Sequence, residues 1–421
     1  MSVGIFLKEL TQSQLDTICE LLTIKPKPSF YDIKRNKRFK YKKIDDDSEV
    51  AKGPVKFYKI EQDALFVPYY FYEQIFKMKA NLIKRNFNLY KQTNFVFTKN
   101  LFESQVNVCK ELYIELNTKG LANLNVYTGG GKTVMCAWAS AVMKLKTLIL
   151  ITNTILSDQW FKTYKIFTNA KVHIVEGPGD PPEDTDVIVC MYTRIHYLSS
   201  TVFMTIGTLI IDEAHNFCSE SRVPALLMSQ PLYIIAATAT LEREEDGMHI
   251  MIETMCGKHR IIKKSEKPFN VILYNTGYSE LVPVNRFGDP DWTKHVNALC
   301  EDQDRNKLLL EMILKNLNYK ILVLTARAKH VKFLYDTLVD HKVNVDYMSG
   351  KKKKYKDANV LIGTVKKIGT GFDEATACDD FNGYPINLLI IAISIKSNAL
   401  LQQVSGRCFR STFPVIWGIF D

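Results

Sequence analysis

The chain has 421 residues, 46% of them hydrophobic and 24% charged, which is material for two or three domains with sizeable cores. No apolar run reaches the ~18 residues that a membrane span needs. The start, MSVGIFLKELTQSQLD, lacks the basic end and apolar core of a secretory signal, so a non-secreted, intracellular protein is expected. Nine scattered cysteines without a C-x-x-C pair argue against a disulfide framework or a zinc cluster and fit a reducing compartment.

The formal charge of +10 is uneven, because residues 1–100 carry 19 Lys and Arg against 11 Asp and Glu. Much of that excess lies in KPKPSFYDIKRNKRFKYKK, residues 25–43. Lysines and arginines interleaved with Tyr31, Phe39 and Tyr41 can neutralise phosphates and stack on bases. The same run also reads as a solvated basic segment.

Residues 1–95 have a texture of their own, with short strand-like runs, an aromatic cluster around Pro68, Tyr69 and Tyr70, and a basic helical tail KMKANLIKRNF. They are expected to form a basic, aromatic-rich accessory domain of α+β type. From residue 96 onward apolar strands alternate with amphipathic helices, the pattern of a parallel sheet. The strand candidates are LNVYT, TLILIT, DVIVCMY, TLIIDEA and LYIIAATA, followed from about residue 270 by NVILYN, KILVLTA, ANVLIGT, LLIIAIS and VIWGIF. Two tandem α/β units are therefore expected, at 96–265 and 266–421, with a loop over 277–294.

Between the strand LNVYT and the helix VMCAWASAVMK lies Thr128-Gly129-Gly130-Gly131-Lys132-Thr133. A phosphate loop occupies that strand-to-helix position, although its first usual glycine is here Val126. Glycines allow backbone N–H groups to turn inward around phosphate oxygens, and the helix N-terminus adds partial positive charge. Lys132 would reach the β- and γ-phosphates, and Thr133 would hold Mg²⁺. Downstream, GTLIIDEAHNF places Asp212 at a strand tip, suited to Mg²⁺, with Glu213 beside it to orient and deprotonate water. Ala214 and His215 complete a D-E-A-H run. Two acids after a buried strand are costly unless they coordinate something.

In AATATLEREEDG, Thr238 and Thr240 are placed to hydrogen-bond back to that acid loop, although ordinary turn chemistry gives the same triplet. In LLQQVSGRCFRS, Gln403, Gly406, Arg407 and Arg410 have the spacing Q-x-x-G-R-x-x-R. Arginines brought to a γ-phosphate from a second domain stabilise transition-state charge and tie hydrolysis to domain closure. Two arginines three apart also suit a surface salt-bridge helix.

In this order and spacing, the four segments resemble those of a superfamily 2 helicase over residues 96–421. The form looks closest to the XPB-type repair helicases, the phage branch-migration helicases and the transcript-release helicases of large DNA viruses. The resemblance implies two RecA-like domains with ATP and Mg²⁺ between them. It further implies nucleic-acid contacts at Thr152, Asn153, Gln159, Thr193 and Thr364, and nucleotide contacts at Gln105, Gly371, Asp373 and Gln403. Phe102 stands where the family usually has Arg, and Tyr127 where it usually has Pro.

The activity expected is ATP hydrolysis coupled to movement along nucleic acid, with DNA favoured, by a monomer without a membrane. A viral origin and transcription or replication proteins as partners fit the same reading. An RNA or RNA–DNA helicase is the first alternative. A clamp that binds ATP without turnover is the second, and an unrelated P-loop kinase is a third, against which the Q-x-x-G-R-x-x-R segment counts.

Overall fold

The computed structural model describes residues 2–27, 54–77, 89–239, 247–264, 269–277, 282–286, 288–352, 354–369, 372, 374–395, 398–408, 411 and 414–420. Most of the basic run 25–43 and of the tail KMKANLIKRNF lies outside the described residues, as do Thr240, Gly371, Asp373 and Arg410. The chain divides into two compact units, residues 1–126 with 130–264, and residues 127–129 with 265–421.

The first unit opens with short antiparallel pieces. Strands β1 (Ser2–Phe6), β4 (Lys59–Glu61) and β5 (Ala64–Pro68) form one sheet in the order β1-β5-β4, and β2 (Thr23–Ile24) pairs with β3 (Val55–Lys56). The helix Gln12–Leu21 starts at a capping box in which the Thr11 hydroxyl and the Gln14 side chain satisfy each other's backbone N–H groups. The helix Tyr69–Phe76 follows β5 directly. Val3, Phe57 and Tyr69 share a core with the parallel sheet of this unit, and Ser2 bonds through its N–H to Ser229 and through its hydroxyl to Leu227.

That parallel sheet comprises β6 (Leu121–Val126), β7 (Thr147–Ile151), β8 (Val172–Ile174), β9 (Val187–Met191), β10 (Thr208–Asp212), β11 (Tyr233–Thr238) and β12 (Ile261–Lys263), in the order β12-β6-β11-β10-β7-β9-β8. Both faces are buried. Leu209 and Ile211 of β10 enter the core on one side while Ile210 enters the other, and Ile234 and Ile235 of β11 divide in the same way. Burial on both faces explains why these strands read as continuous apolar runs instead of alternating ones. Each fully buried Leu, Ile or Val contributes about 1.5–3 kcal/mol.

The second unit repeats the plan with β13 (Asn270–Asn275), β14 (Ile321–Thr325), β15 (Val345–Met348), β16 (Val360–Thr364), β17 (Leu388–Ile391) and β18 (Val415–Phe420), ordered β13-β18-β17-β14-β16-β15 and parallel throughout. Leu322 and Leu324 face one core and Ile321 and Val323 the other. Among the described residues, then, the chain builds two α/β units on parallel sheets with a small α+β portion at the start, which is the fold class expected. All ten expected strands are present. The first is displaced: LNVYT was expected to run to Thr128, but β6 ends at Val126, and Tyr127 and Thr128 leave it to begin the glycine turn.

Candidate active site

Three neighbouring strands deliver the chemistry. β6, β11 and β10 lie side by side in parallel register, Thr238 opposite Asn125 and Ala237 opposite Asp212, so their carboxyl ends open at one edge of the sheet. Ligands of open α/β sheets bind beyond such ends. The glycine loop leaves β6, the acid pair leaves β10, and Thr238 closes β11.

The loop is shaped by left-handed glycines. Gly129 and Gly131 both have φ of 88°, a region costly for any residue with a Cβ. Gly131 caps the helix Lys132–Met143, which places Lys132 and Thr133 in its first turn. Gln105, buried near the start of the helix Glu103–Lys119, lies against this turn so closely that a Cβ on Gly131 would stand 2.1 Å from its Nε2. Its Oε1 accepts the backbone N–H of Phe102 at 3.1 Å, while the Phe102 ring is 74% exposed.

Asp212 is the last residue of β10, and the chain turns sharply at Glu213, whose φ of 51° costs roughly 1–2 kcal/mol for a residue of this kind. The turn brings both carboxylates to Lys132, whose Nζ lies 2.6 Å from Glu213 Oε1 and 2.9 Å from Asp212 Oδ1. The lysine side chain is only 12% exposed. Burial alone pulls its pKa down, but the two carboxylates more than reverse this and hold it above the ordinary lysine value. The ammonium is therefore firmly charged.

His215 is also drawn in. Its Nδ1 shares a 2.7 Å hydrogen bond with the Thr238 hydroxyl and stands 3.5 Å from Glu213 Oε2, so the D-E-A-H turn is tied to the end of β11. The expected bond from Thr238 to the acid loop is thus present, with His215 as the partner.

Two residues escaped the sequence reading. Trp160, fully buried, donates its indole N–H to Asp212 Oδ2 at 2.8 Å. Lys263, at the end of β12, donates to Gly130 O at 3.2 Å and to Ser104 Oγ at 3.0 Å, which bridges the loop to the Gln105 segment. Trp160 follows Gln159 in an otherwise amphipathic helix, a faint signal. Lys263 had none, because it is one lysine in a charged tail.

The proposed nucleic-acid contacts are dispersed. Asn153 caps the helix Thr154–Phe167, its Oδ1 accepting from Ile155 and Leu156 N–H at 3.0 and 3.1 Å, so at least that oxygen serves the fold. Thr152 and Gln159 are half-buried nearby, and Thr193 is exposed in the short helix Tyr192–Tyr197. In the second unit Thr364 caps the turn Val365–Ile368. Gln403 is buried, and Arg407 donates to the carbonyls of Phe372 at 2.5 Å and Gly369 at 3.0 Å.

Residues 98–243 match the family model of the type III restriction enzyme res subunit. "Putative helicase 161L" of Invertebrate iridescent virus 6 is 29% identical over 379 residues, covering 80% of this chain and 82% of the relative. These likenesses are consistent with the superfamily 2 helicase resemblance. "Putative helicase 055L" of Frog virus 3 is 28% identical over 65% of each chain. Transcript termination protein A18 of Yaba-like disease virus is 22% identical over 78% of this chain and 74% of its own. All three of these relatives are viral. No helix of the described residues is long and apolar enough to cross a membrane.

Proposed function

We propose that the chain is an ATP-dependent nucleic-acid helicase or translocase, with DNA as the favoured track. The observation that carries this is the Lys132 ammonium locked onto Asp212 and Glu213 beside a left-handed glycine turn. The oxygen donors at hand, the Thr133 hydroxyl and the Asp212 carboxylate, suit a hard divalent cation held together with phosphates. When bound, Mg²⁺ would neutralise charge on the β- and γ-phosphates. N–H groups of residues 129–133 would cradle those phosphates at the helix start.

Lys132 has two competing sets of partners. Drawing its ammonium toward phosphate frees Glu213, whose carboxylate then takes a proton from the attacking water. Arg407 and Arg410 of the second unit are assigned the stabilisation of transition-state charge, with Gly371, Asp373 and Gln403 as nucleotide contacts. Thr152, Asn153, Gln159, Thr193 and Thr364 are assigned to the nucleic-acid backbone. Exposed Lys351, Lys356 and Lys366 lie in the same stretch of the second unit as Thr364 and suit a phosphate track.

An RNA-directed reading is favoured by the likeness to the transcript termination protein of Yaba-like disease virus. Steady-state ATPase with single-stranded DNA, branched DNA or RNA, measured beside Glu213→Gln, separates the two. Stimulation by one polymer, lost in the variant, identifies the motor and its track. Tight nucleic-acid binding without turnover identifies a clamp instead.

A further inference from the structure

The Asp212 carboxylate is held at both oxygens. Oδ1 faces Lys132 Nζ at 2.9 Å and accepts the backbone N–H of Glu213 at 3.0 Å, while Oδ2 accepts the indole N–H of Trp160 at 2.8 Å. Rotation of the carboxylate about its Cβ–Cγ bond would sacrifice these bonds, so its plane is fixed. Trp160 cannot easily move away either. It has no exposed surface, and its ring packs 6.2 Å from that of Tyr164. The Tyr164 hydroxyl in turn shares a 2.7 Å hydrogen bond with Ser140 on the helix that follows the glycine loop. The Trp160 N–H therefore reaches the acid from a rigid platform. Packing alone would be served by any apolar ring, but only a donor at this spot can orient the carboxylate.

Resting on the reading that Asp212 helps hold the Mg²⁺ of a bound nucleotide, we propose that Trp160 is a positioning residue for that ion. Its N–H takes one lone pair of Oδ2 and presents Oδ1 on the Lys132 side, where the phosphates would arrive. Partners behind a metal-binding carboxylate change metal affinity about 10–100-fold when removed.

The experiment compares the protein with Trp160→Phe, which keeps an aromatic ring and removes the donor. Mn²⁺ binding in the presence of ADP is measured by electron paramagnetic resonance, alongside ADP affinity without metal and the unfolding temperature. The expected result is Mn²⁺ affinity lowered about 10–100-fold with metal-free ADP affinity retained. Unchanged Mn²⁺ affinity in a folded variant overturns the proposal. If the unsubstituted protein adds no Mn²⁺ affinity beyond that of free ADP, the metal reading of Asp212 itself fails, a distinct outcome.

Should the variant not fold, the unsubstituted protein labelled with ¹⁵N in its tryptophan rings supplies the answer. The Trp160 indole resonance is expected to shift when Mg²⁺ is added to the ADP complex. A resonance that stays in place overturns the proposal.

Discussion

Gly131→Ala tests the shape of the loop, and its effect follows from two separate costs. At φ of 88° an alanine is held in the left-handed region, at about 1–3 kcal/mol. Its Cβ would stand 2.1 Å from Gln105 Nε2, so Gln105 has to swing away and give up its bond to the Phe102 N–H, worth about 1 kcal/mol. Together the substitution should destabilise the first unit by about 2–4 kcal/mol. A double-mutant cycle with Gln105→Ala, read by urea unfolding, separates the two costs. Removing the side chain abolishes the collision but not the backbone strain, so the two losses should fall short of additive by about 1 kcal/mol. ADP affinity should fall in Gly131→Ala and stay low in the double variant. Strict additivity, or an alanine variant as stable as the parent, would refute the geometry on which the site is built.

Lys132→Met leaves the Asp212 and Glu213 carboxylates without their shared cation, and unfolding should show a loss of about 2–3 kcal/mol, below the value for a fully buried pair. Because the folded lysine pKa is raised, the stabilisation is complete below the unfolded value of about 10.4 and disappears only as pH rises through the folded one. The stability gap between parent and variant should therefore stay level from pH 7 to 10. His330, buried between Thr325 and Asn306, has its pKa pushed down to about 4 by burial and by Arg305. Its neutral form stabilises the second unit above about pH 6.5, and that contribution is lost as pH falls toward 4, up to about 3 kcal/mol. Hydrogen-exchange protection at β14 should weaken over that window, and less so in His330→Asn. Leu273, 75% exposed in the edge strand β13, should tolerate lysine with a stability change under about 0.5 kcal/mol. A larger loss on urea unfolding would mean that the face is covered.

Local pattern made most of this fold legible. The runs TLII and ILVLT are rich in β-branched residues and unbroken by charge, as strands buried on both faces must be. VHI, IIK and VDYM passed unseen because each is short and carries a polar residue at the margin of a sheet, where pattern and position part company. The expected site residues of the first unit separate along similar lines. Lys132, Asp212 and Glu213 were readable because a glycine loop and an acid pair have few other uses after apolar strands. Trp160 was not, since a tryptophan in an amphipathic helix reads as core, and here it is core and hydrogen-bond donor at once. Asn153 carries a second duty that the motif did not reveal, because its Oδ1 also caps its own helix.

The strand order also governs when the first sheet can close. β6 touches neither β7 nor β9; its neighbours are β11 and β12, and β11, the earlier of the two, follows it by roughly 107 residues of chain. At ribosomal speeds of about 5–20 residues per second, that separation amounts to roughly 5–21 s of synthesis. Throughout this interval β6 and the glycine loop wait unpaired, while β7 and β9 can already join. A nascent chain should thus acquire its hydrolytic centre late and all at once, when β11 slides between β10 and β6 and fastens loop and acids to one edge.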